Sequence, residues 1–384
     1  MSLFRILRMT PSQFIKRAIL KVISKTELVL PRWETAKQKF IIIPSVSDFS
    51  TTLPANIASI PQENVASYHE IISYPERYLY TLNDVYVSYY GVVFKNLKIF
   101  IPSLVAPTDK IQVQNSLAME RSQFLSQQWS KKVITVVEKP IALVYELWSA
   151  INYYHWICDS LPRLLLLREK YPNCTLLVPY PVPDYVLETT RKLGFHKLLT
   201  ISREQVLKVD TLIFPELTAK ITMQNQSLIN QVRTELLHGF KPTIISRPKR
   251  IYVSRSRARM RRLSNEDAVM HMLKRYDFEI IHFEDYSFLQ QIELMSATEI
   301  FVGIHGANLT NLIFMPIHAH VIEFMNKDFD NFCYWRLSSN IHMNYSCIKY
   351  SSQDIGKNQE NISINDDDLV VNIKELEEAV KAAL

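Results

Sequence analysis

The stretch 301–316, Phe-Val-Gly-Ile-His-Gly-Ala-Asn-Leu-Thr-Asn-Leu-Ile-Phe-Met-Pro, constrains the fold of this chain more than any other. Only 6 of the 384 residues are glycine, far below the roughly 7% of an average protein. Two of the six, Gly303 and Gly306, fall in this one turn. A β-type run at 299–302 leads into it, and apolar residues at helical spacing, Leu309, Leu312 and Ile313, lead out. Strand, turn and helix in that order aim backbone amides and a helix N-terminus at an anion, so a phosphate-bearing ligand is the natural occupant. His305 adds an imidazole, and Asn308, Thr310 and Asn311 add neutral hydrogen-bonding groups. The competing expectation is an ordinary strand-to-helix turn around a buried histidine.

The surrounding pattern suits such a turn. After Glu146 the texture predicts helices over 147–171, 183–193 and 226–239, with strands at 175–178, 197–201 and 211–214. Residues 242–249 read as a linker. The alternation then restarts, with strands at 250–254, 278–282, 299–302 and 321–324 and helices at 264–276, 287–296 and after the glycine turn. Alternation of this kind means βα units around parallel sheets, and two such units divided by a linker leave a cleft. Ligands of open α/β sheets bind beyond the carboxyl ends of the strands, where the glycine turn falls. Upstream, 31–64 reads as lead-in structure with short β runs such as 40–43, 77–105 as an antiparallel meander, and 132–145 as a further strand pair.

A formal charge of +6 is a mild excess that fits an acidic ligand. The basic residues gather in two places and do not cover a face, so nucleic-acid binding is not indicated. Cys158, Cys174, Cys333 and Cys347 have neither CxxC pairing nor a histidine at zinc-finger spacing. That argues against a structural metal and a disulfide framework, and reduced thiols in a cytoplasm are the fit. The first concentration of charge, Arg5, Arg8, Lys16, Arg17, Lys21 and Lys25, is interleaved with apolar residues over 1–26. No apolar run there reaches the ~18–20 residues of a spanning helix, and no signal-peptide pattern is present. The segment is expected either to lie on an anionic membrane surface or to pack on the body of the protein. Three aspartates at 366–368 precede a helical run, which predicts a helix N-terminal cap in preference to a metal site.

Two further constellations could carry chemistry. Asn152, His155, Asp159 and Arg163 stand at spacings of 3, 4 and 4. On one helix they lie within an arc of about 80°. An imidazole and a carboxylate on one face supply a general base with a partner, or two candidate bases. The bland alternative makes His155 a core histidine and Asp159 a cap. Pro162 predicts a kink, or a new helix capped by Asp159 or Ser160. The second constellation is Arg255, Arg257, Arg259, Arg261 and Arg262, directly after the strand at 250–254. Guanidinium forks match phosphate oxygens, and Arg255, nearest the strand end, is the preferred ligand, with Arg262 second.

Taken in order over residues 145–325, these stretches resemble glycosyltransferase family 61. The family includes bacterial capsular-polysaccharide proteins and eukaryotic xylosyl-, arabinosyl- and N-acetylglucosaminyltransferases. The matching residues are Asn152 to His155 with Asp159, Pro162 and Arg163; Ile251 to Arg255 with Arg262, Asn265 and Glu266; and Gly303 to Asn311, continuing through Phe314 to Pro316 and Val321 to Glu323. The family usually has a second glycine where this chain has Asn308, a residue that tolerates left-handed backbone.

The resemblance, of the bacterial capsular-polysaccharide type, implies an α/β, GT-B-like fold: two Rossmann-like domains facing a cleft, with an antiparallel β-rich N-terminal portion. A basic segment over 1–30 would precede an acceptor-side domain over 31–241 and a nucleotide-sugar-binding domain over 242–384. It implies inverting transfer from a nucleotide-sugar donor to a glycan or lipid-linked glycan acceptor in capsule or O-antigen synthesis. No obligatory metal or other cofactor is implied, and the place is the cytoplasm or the inner face of a membrane. On this reading His155 or Asp159 is the base. Substrate is held by Asn152, Arg163, Arg255, Arg262, Gly303, His305, Gly306, Ala307, Asn308, Leu309, Thr310 and Asn311, and by Glu323 on the ribose. The alternative is a non-catalytic nucleotide-sugar or glycan-binding module of the same fold. A nucleotide-dependent oxidoreductase would want a Gly-x-Gly-x-x-Gly fingerprint, which the chain lacks.

Overall fold

The computed structural model describes residues 32–33, 38–44, 46–60, 65–69, 71–95, 98–104, 133–137, 140–239, 247–326, 331–350 and 370–384. The expectations for 1–26, for the aspartates at 366–368 and for most of the 242–249 linker lie outside these residues.

The strands in chain order are β1 (Arg32–Trp33), β2 (Gln38–Ile43), β3 (Val46–Ser50), β4 (Ile71–Tyr74), β5 (Arg77–Ser88), β6 (Val93–Lys95), β7 (Lys98–Phe100), β8 (Val133–Val136) and β9 (Ile141–Leu143). They continue with β10 (Thr175–Pro179), β11 (Leu198–Ile201), β12 (Val206–Pro215), β13 (Arg250–Val253), β14 (Glu279–Ile281), β15 (Ile300–Ile304), β16 (His320–Asn326) and β17 (Asn344–Tyr350). Helix α1 spans 153–170; then come α2 (Asp184–Lys192), α3 (Gln226–Leu237), α4 (Glu266–Lys274), α5 (Phe288–Met295), a 3₁₀ helix (Ala307–Phe314), α6 (Cys333–Asn340) and α7 (Ile373–Ala383).

The first sheet runs β1-β7-β6-β5-β12-β9-β10-β11, with β2 added to β5 and β8 to β12. Its antiparallel part is no separate module, because β5 is paired with β12 from Leu79 to Ser88. Strand β12 is longer than the expected 211–214. Lys208 and Asp210 interrupt its apolar run, and Lys208 reaches Asp84 across the β5–β12 pair at 3.5 Å. Strands β11, β10, β9 and β12 are mutually parallel, and the winding reverses between β9 and β12. The second sheet, β14-β13-β15-β16-β17, is parallel throughout, and its winding reverses between β13 and β15. Crevices at the carboxyl ends of strands, where winding reverses, are where open α/β sheets take ligands. Strand β9 leads to α1, β13 leads to Arg255, and β15 leads to the glycine turn.

The two halves share one hydrophobic core instead of standing apart. Trp156, Leu164 and Ile229 from the first half lie in the same buried cluster as Leu312, Phe314 and Tyr334 from the second. Polar ties cross the same seam: the Arg233 guanidinium donates to the Met315 carbonyl at 2.6 Å, and the Asn230 amide to the Asn340 carbonyl at 3.0 Å. The lead-in stretch is also bound to the second half. The Ala55 amide donates to the Tyr345 carbonyl at 2.7 Å, and the Asn56 side chain both donates to and accepts from the Cys347 backbone. Edge strand β17 would otherwise leave backbone groups unpaired.

Helix α1 departs from expectation at two points. It begins at Tyr153, because the Asn152 side chain accepts the Tyr154 amide at 2.9 Å and caps it there. Pro162 stands in the first turn of the α-helical segment 161–170, which follows without a side-chain cap from Ser160. A π-turn over Trp156–Ser160 leads into it, with the Leu161 amide donating to the Trp156 carbonyl. Proline has no N–H to give, and the widened turn absorbs the mismatch. At the other end of the chain α7 is capped by Asn372, which accepts from the Lys374 and Glu375 amides. Among the described residues no helix is long and apolar enough to cross a membrane.

Candidate active site

Beyond the end of β9 the chain turns sharply around Glu146. Its buried carboxylate accepts the Trp148 amide at 2.6 Å, the Ser149 amide at 2.9 Å and the Ser149 hydroxyl at 2.7 Å. This turn delivers the start of α1 to the crevice. There Nδ1 of His155 lies 2.7 Å from Oδ2 of Asp159, and the Trp148 ring stacks on the imidazole at 6.2 Å. Despite the π-turn the two residues remain on one face. His155 is the more accessible, with a side chain 14% exposed against 6% for Asp159.

Burial alone would pull the His155 pKa down. The hydrogen bond and charge of Asp159, joined by the charge of Glu146, prevail and hold it above the ordinary imidazole value. Burial raises the Glu146 carboxyl in turn. Glu146, His155 and Asp159 bring three ligand-type atoms within 4.8 Å of one another. All the hydrogen bonds of Glu146 given above go to its own turn, so its oxygens are occupied closing the backbone. The motif reading missed Glu146; the one signal available was a carboxylate directly before two residues whose amides begin a turn, Trp148 and Ser149.

The other two members of that constellation face elsewhere. Asn152 is the helix cap. Arg163 is buried, donating from Nε to the Pro215 carbonyl at 2.8 Å and from Nη2 to the Leu143 carbonyl at 3.3 Å, with its fork over the Phe214 ring. Burial lowers its pKa to about 10, against the charges of Glu146, Asp159 and Glu216. Arg163 thus ties β9 to β12 at the crevice floor.

On the second half, Arg255 follows β13 and bends back over the glycine turn. Its Nε donates to the Arg261 carbonyl and its Nη2 to the Met260 carbonyl, both at 3.3 Å. Its pKa is lowered, first by burial and then by Arg261. Ser254 and Tyr252 both donate to Glu266 at 2.7 Å, which fixes the strand end to α4. Arg262 is exposed. Arg257 pairs with Asp285 at 2.5 Å on the surface.

The glycine turn is followed by a 3₁₀ helix, tighter than the α-helix expected. The His305 amide donates to the Phe324 carbonyl at 2.9 Å and the Leu309 amide to the Gly306 carbonyl at 2.9 Å. Among the described residues the amides of Gly306, Ala307 and Asn308 have no backbone partner. Asn308 sits inside the 3₁₀ helix and has no left-handed backbone, so the conformational argument for asparagine there does not apply. Gly303 lies within β15, where a β-carbon would crowd Leu309 and Phe301.

His305 is buried and its Nδ1 is bonded to Glu323. The other oxygen of Glu323 accepts the Tyr345 hydroxyl at 2.5 Å, and the residue is 0% exposed. Both oxygens are therefore used internally, and Glu323 orients His305 where the sequence reading had it meet a ribose. Thr310 and Asn311 are buried. Asn311 accepts the Tyr153 hydroxyl at 2.5 Å and donates to Gln291 at 2.9 Å, bridging the halves.

The two histidines are joined by a file of aromatic rings. Tyr154 meets His155 at 5.0 Å and Tyr334 at 5.5 Å, and Tyr334 meets His305 at 5.1 Å. The file of rings connects the imidazole–carboxylate pair of the first half to the glycine turn of the second.

Residues 153–322 match the family described as Glycosyltransferase 61. Among curated proteins, EGF domain-specific O-linked N-acetylglucosamine transferase of Mus musculus is 27% identical over 53% of this chain and 44% of its own length. The Drosophila melanogaster protein of that name is 25% identical over 52% of this chain and 43% of its own. Alpha-1,3-arabinosyltransferase XAT3 of Oryza sativa subsp. japonica is 30% identical over 20% of this chain and 14% of its own length. The chain spans less than half the length of these relatives, and their names carry no bacterial capsular type. The comparisons support glycosyltransferase family 61 for the region 153–322, which holds α1, the Arg255 loop and the glycine turn.

Proposed function

We propose that this chain is an inverting glycosyltransferase of GT-B-like arrangement that moves a sugar from a nucleotide-sugar donor to a glycan or lipid-linked glycan. The donor diphosphate lies against Arg255 and the free amides of Gly306, Ala307 and Asn308. The acceptor hydroxyl approaches from the side of His155. Its oxygen forms the new bond to the anomeric carbon as the carbon–oxygen bond to the diphosphate breaks on the opposite face; the diphosphate leaves with that electron pair. The hydroxyl proton passes to Nε2 of His155, while Asp159 holds Nδ1 and steadies the imidazolium that forms. Cationic and amide donors aimed at a leaving diphosphate stabilise charge as it develops there.

The observation that supports this reading is the 2.7 Å His155–Asp159 pair at one winding reversal, linked through the Tyr154 and Tyr334 rings to His305 of the glycine turn at the other. Asp159 engages the nitrogen that does not face the acceptor, so the base is His155 and Asp159 its orienter. The names of the relatives agree with sugar transfer. A surface polysaccharide, capsule or O-antigen, is the acceptor class we favour, with the enzyme in the cytoplasm against an anionic membrane face. Support for that last point is the six lysines and arginines among residues 1–26. Liposome co-sedimentation with and without residues 1–26 tests the membrane part, and equal pelleting removes it. A screen of nucleotide sugars by thermal shift, followed by transfer assays with the one that stabilises, tests the activity. No stabilisation by any nucleotide sugar contradicts it.

A further inference from the structure

Arg261 has a backbone φ of 58°, the left-handed region that a bulky side chain seldom occupies. That conformation turns its side chain inward over the glycine turn, where Nη1 donates to the His305 carbonyl at 3.1 Å. Its Nε is buried and has no hydrogen-bond partner. The neighbouring Arg255 bonds to the Arg261 carbonyl and lies over Gly306. Two guanidinium groups therefore converge on the same free amides. Among the described residues neither is ion-paired to a carboxylate, whereas Arg257, two residues along, is paired to Asp285. Like charges held together over a patch of N–H donors, one with a buried donor left over, define a place for an anion with several oxygens.

We infer that Arg261 is a second phosphate ligand of the donor site, and that it and Arg255 together clamp the two phosphates of the leaving nucleoside diphosphate. The inference rests on the proposed donor site and sharpens it. Arg262, second choice from sequence, is exposed, and no contact of it with the glycine turn places it in the clamp. The pair favours charge build-up: a nucleotide sugar carries about two negative charges on its diphosphate and the released nucleoside diphosphate nearly three. Two half-buried cations bind the second more tightly than the first, which is the direction catalysis requires.

The test is titration calorimetry of the full chain with UDP, GDP and inorganic pyrophosphate, using Arg261→Gly, Arg261→Ala, Arg262→Ala and Arg255→Ala. Glycine takes the left-handed backbone without strain. Arg261→Gly should therefore melt no lower than wild type and yet bind the diphosphate probe at least tenfold more weakly, like Arg255→Ala. Arg262→Ala should bind as wild type. Wild-type affinity in Arg261→Gly, beside a loss in Arg255→Ala, overturns the role of Arg261 and leaves the donor site standing. Failure of the wild type to bind any of the three probes overturns the donor site itself, and this inference with it.

Discussion

Arg255 lies directly over Gly306: a β-carbon on that glycine would come within 2.9 Å of the arginine's Nη1. Gly306 has φ 168°, extended backbone that any residue adopts, so what excludes a side chain is the space the guanidinium fills. Gly306→Ala should displace the end of a flexible arginine and little else. The expected result is a stability change within about 0.5 kcal/mol, beside a roughly tenfold loss of nucleoside diphosphate affinity, about 1.4 kcal/mol. Paired denaturation and calorimetry check it; a large stability loss with affinity intact places the constraint on the fold instead.

Asp159 is predicted to set the pH dependence of turnover through His155. A general base must be neutral, so activity falls as pH drops through the His155 pKa, which lies above the ordinary imidazole value. Asp159→Asn removes the hydrogen-bonded charge that raises it and leaves the burial that lowers it. The acid limb of kcat should move to lower pH, while kcat falls by about two to four orders of magnitude because the ring loses its orienter. The same coupling acts on stability. The charged pair is fully formed below the unfolded imidazole pKa, and its contribution is lost as pH rises through the higher folded value. An acid limb that stays in place in Asp159→Asn rules out this coupling.

Asn311 was a substrate-binding expectation from sequence, and its contacts point to a different use. It accepts from Tyr153 of the first half and donates to Gln291 of the second. Asn311→Ala should lower stability by about 1–3 kcal/mol and leave nucleoside diphosphate affinity unchanged. Urea denaturation monitored by tryptophan fluorescence, with calorimetry alongside, distinguishes the two roles.

His320 offers a test of the second sheet. Burial depresses its pKa to about 4, and its Nε2 lies 2.8 Å from the Ser346 hydroxyl across β16 and β17. A folded pKa below the unfolded value means that stability is full above the unfolded pKa. It is lost as pH falls from there toward the folded one. Between roughly pH 6.5 and 4 the protein should lose on the order of 3 kcal/mol from this group. His320→Gln should flatten that part of the curve, and an unchanged slope refutes the assignment.

Much of the α/β layout was legible because strands β10, β13, β15 and β16 are short apolar runs between helical stretches with clear ends, such as the Ser287–Gln290 capping box of α5. The pairing between distant segments was not legible. Nothing local to Ala55 announces that it binds β17, or that β5 lies along β12, since such bonds use backbone groups that every residue carries. At the site, residue type and spacing picked out His155 and Asp159, which the structure brings within 2.7 Å, and Arg255 and Gly306, which it sets against each other. They misjudged residues whose polar atoms are spent on the protein itself. Glu323 and Arg163 read as ligands by composition, yet their donors and acceptors meet Tyr345, His305 and buried carbonyls. Arg261 was passed over for Arg262 because a left-handed residue in a loop of arginines leaves no mark in the sequence.

In the proposed mechanism the two sheets divide the work, one neutralising the departing diphosphate and the other taking the proton. The direct measurement is single-turnover sugar transfer by His155→Ala, with nucleoside diphosphate affinity measured on the same sample. The expected result is wild-type affinity and a transfer rate at least a hundredfold lower, about 2.7 kcal/mol on the barrier. Transfer at the wild-type rate by His155→Ala contradicts it.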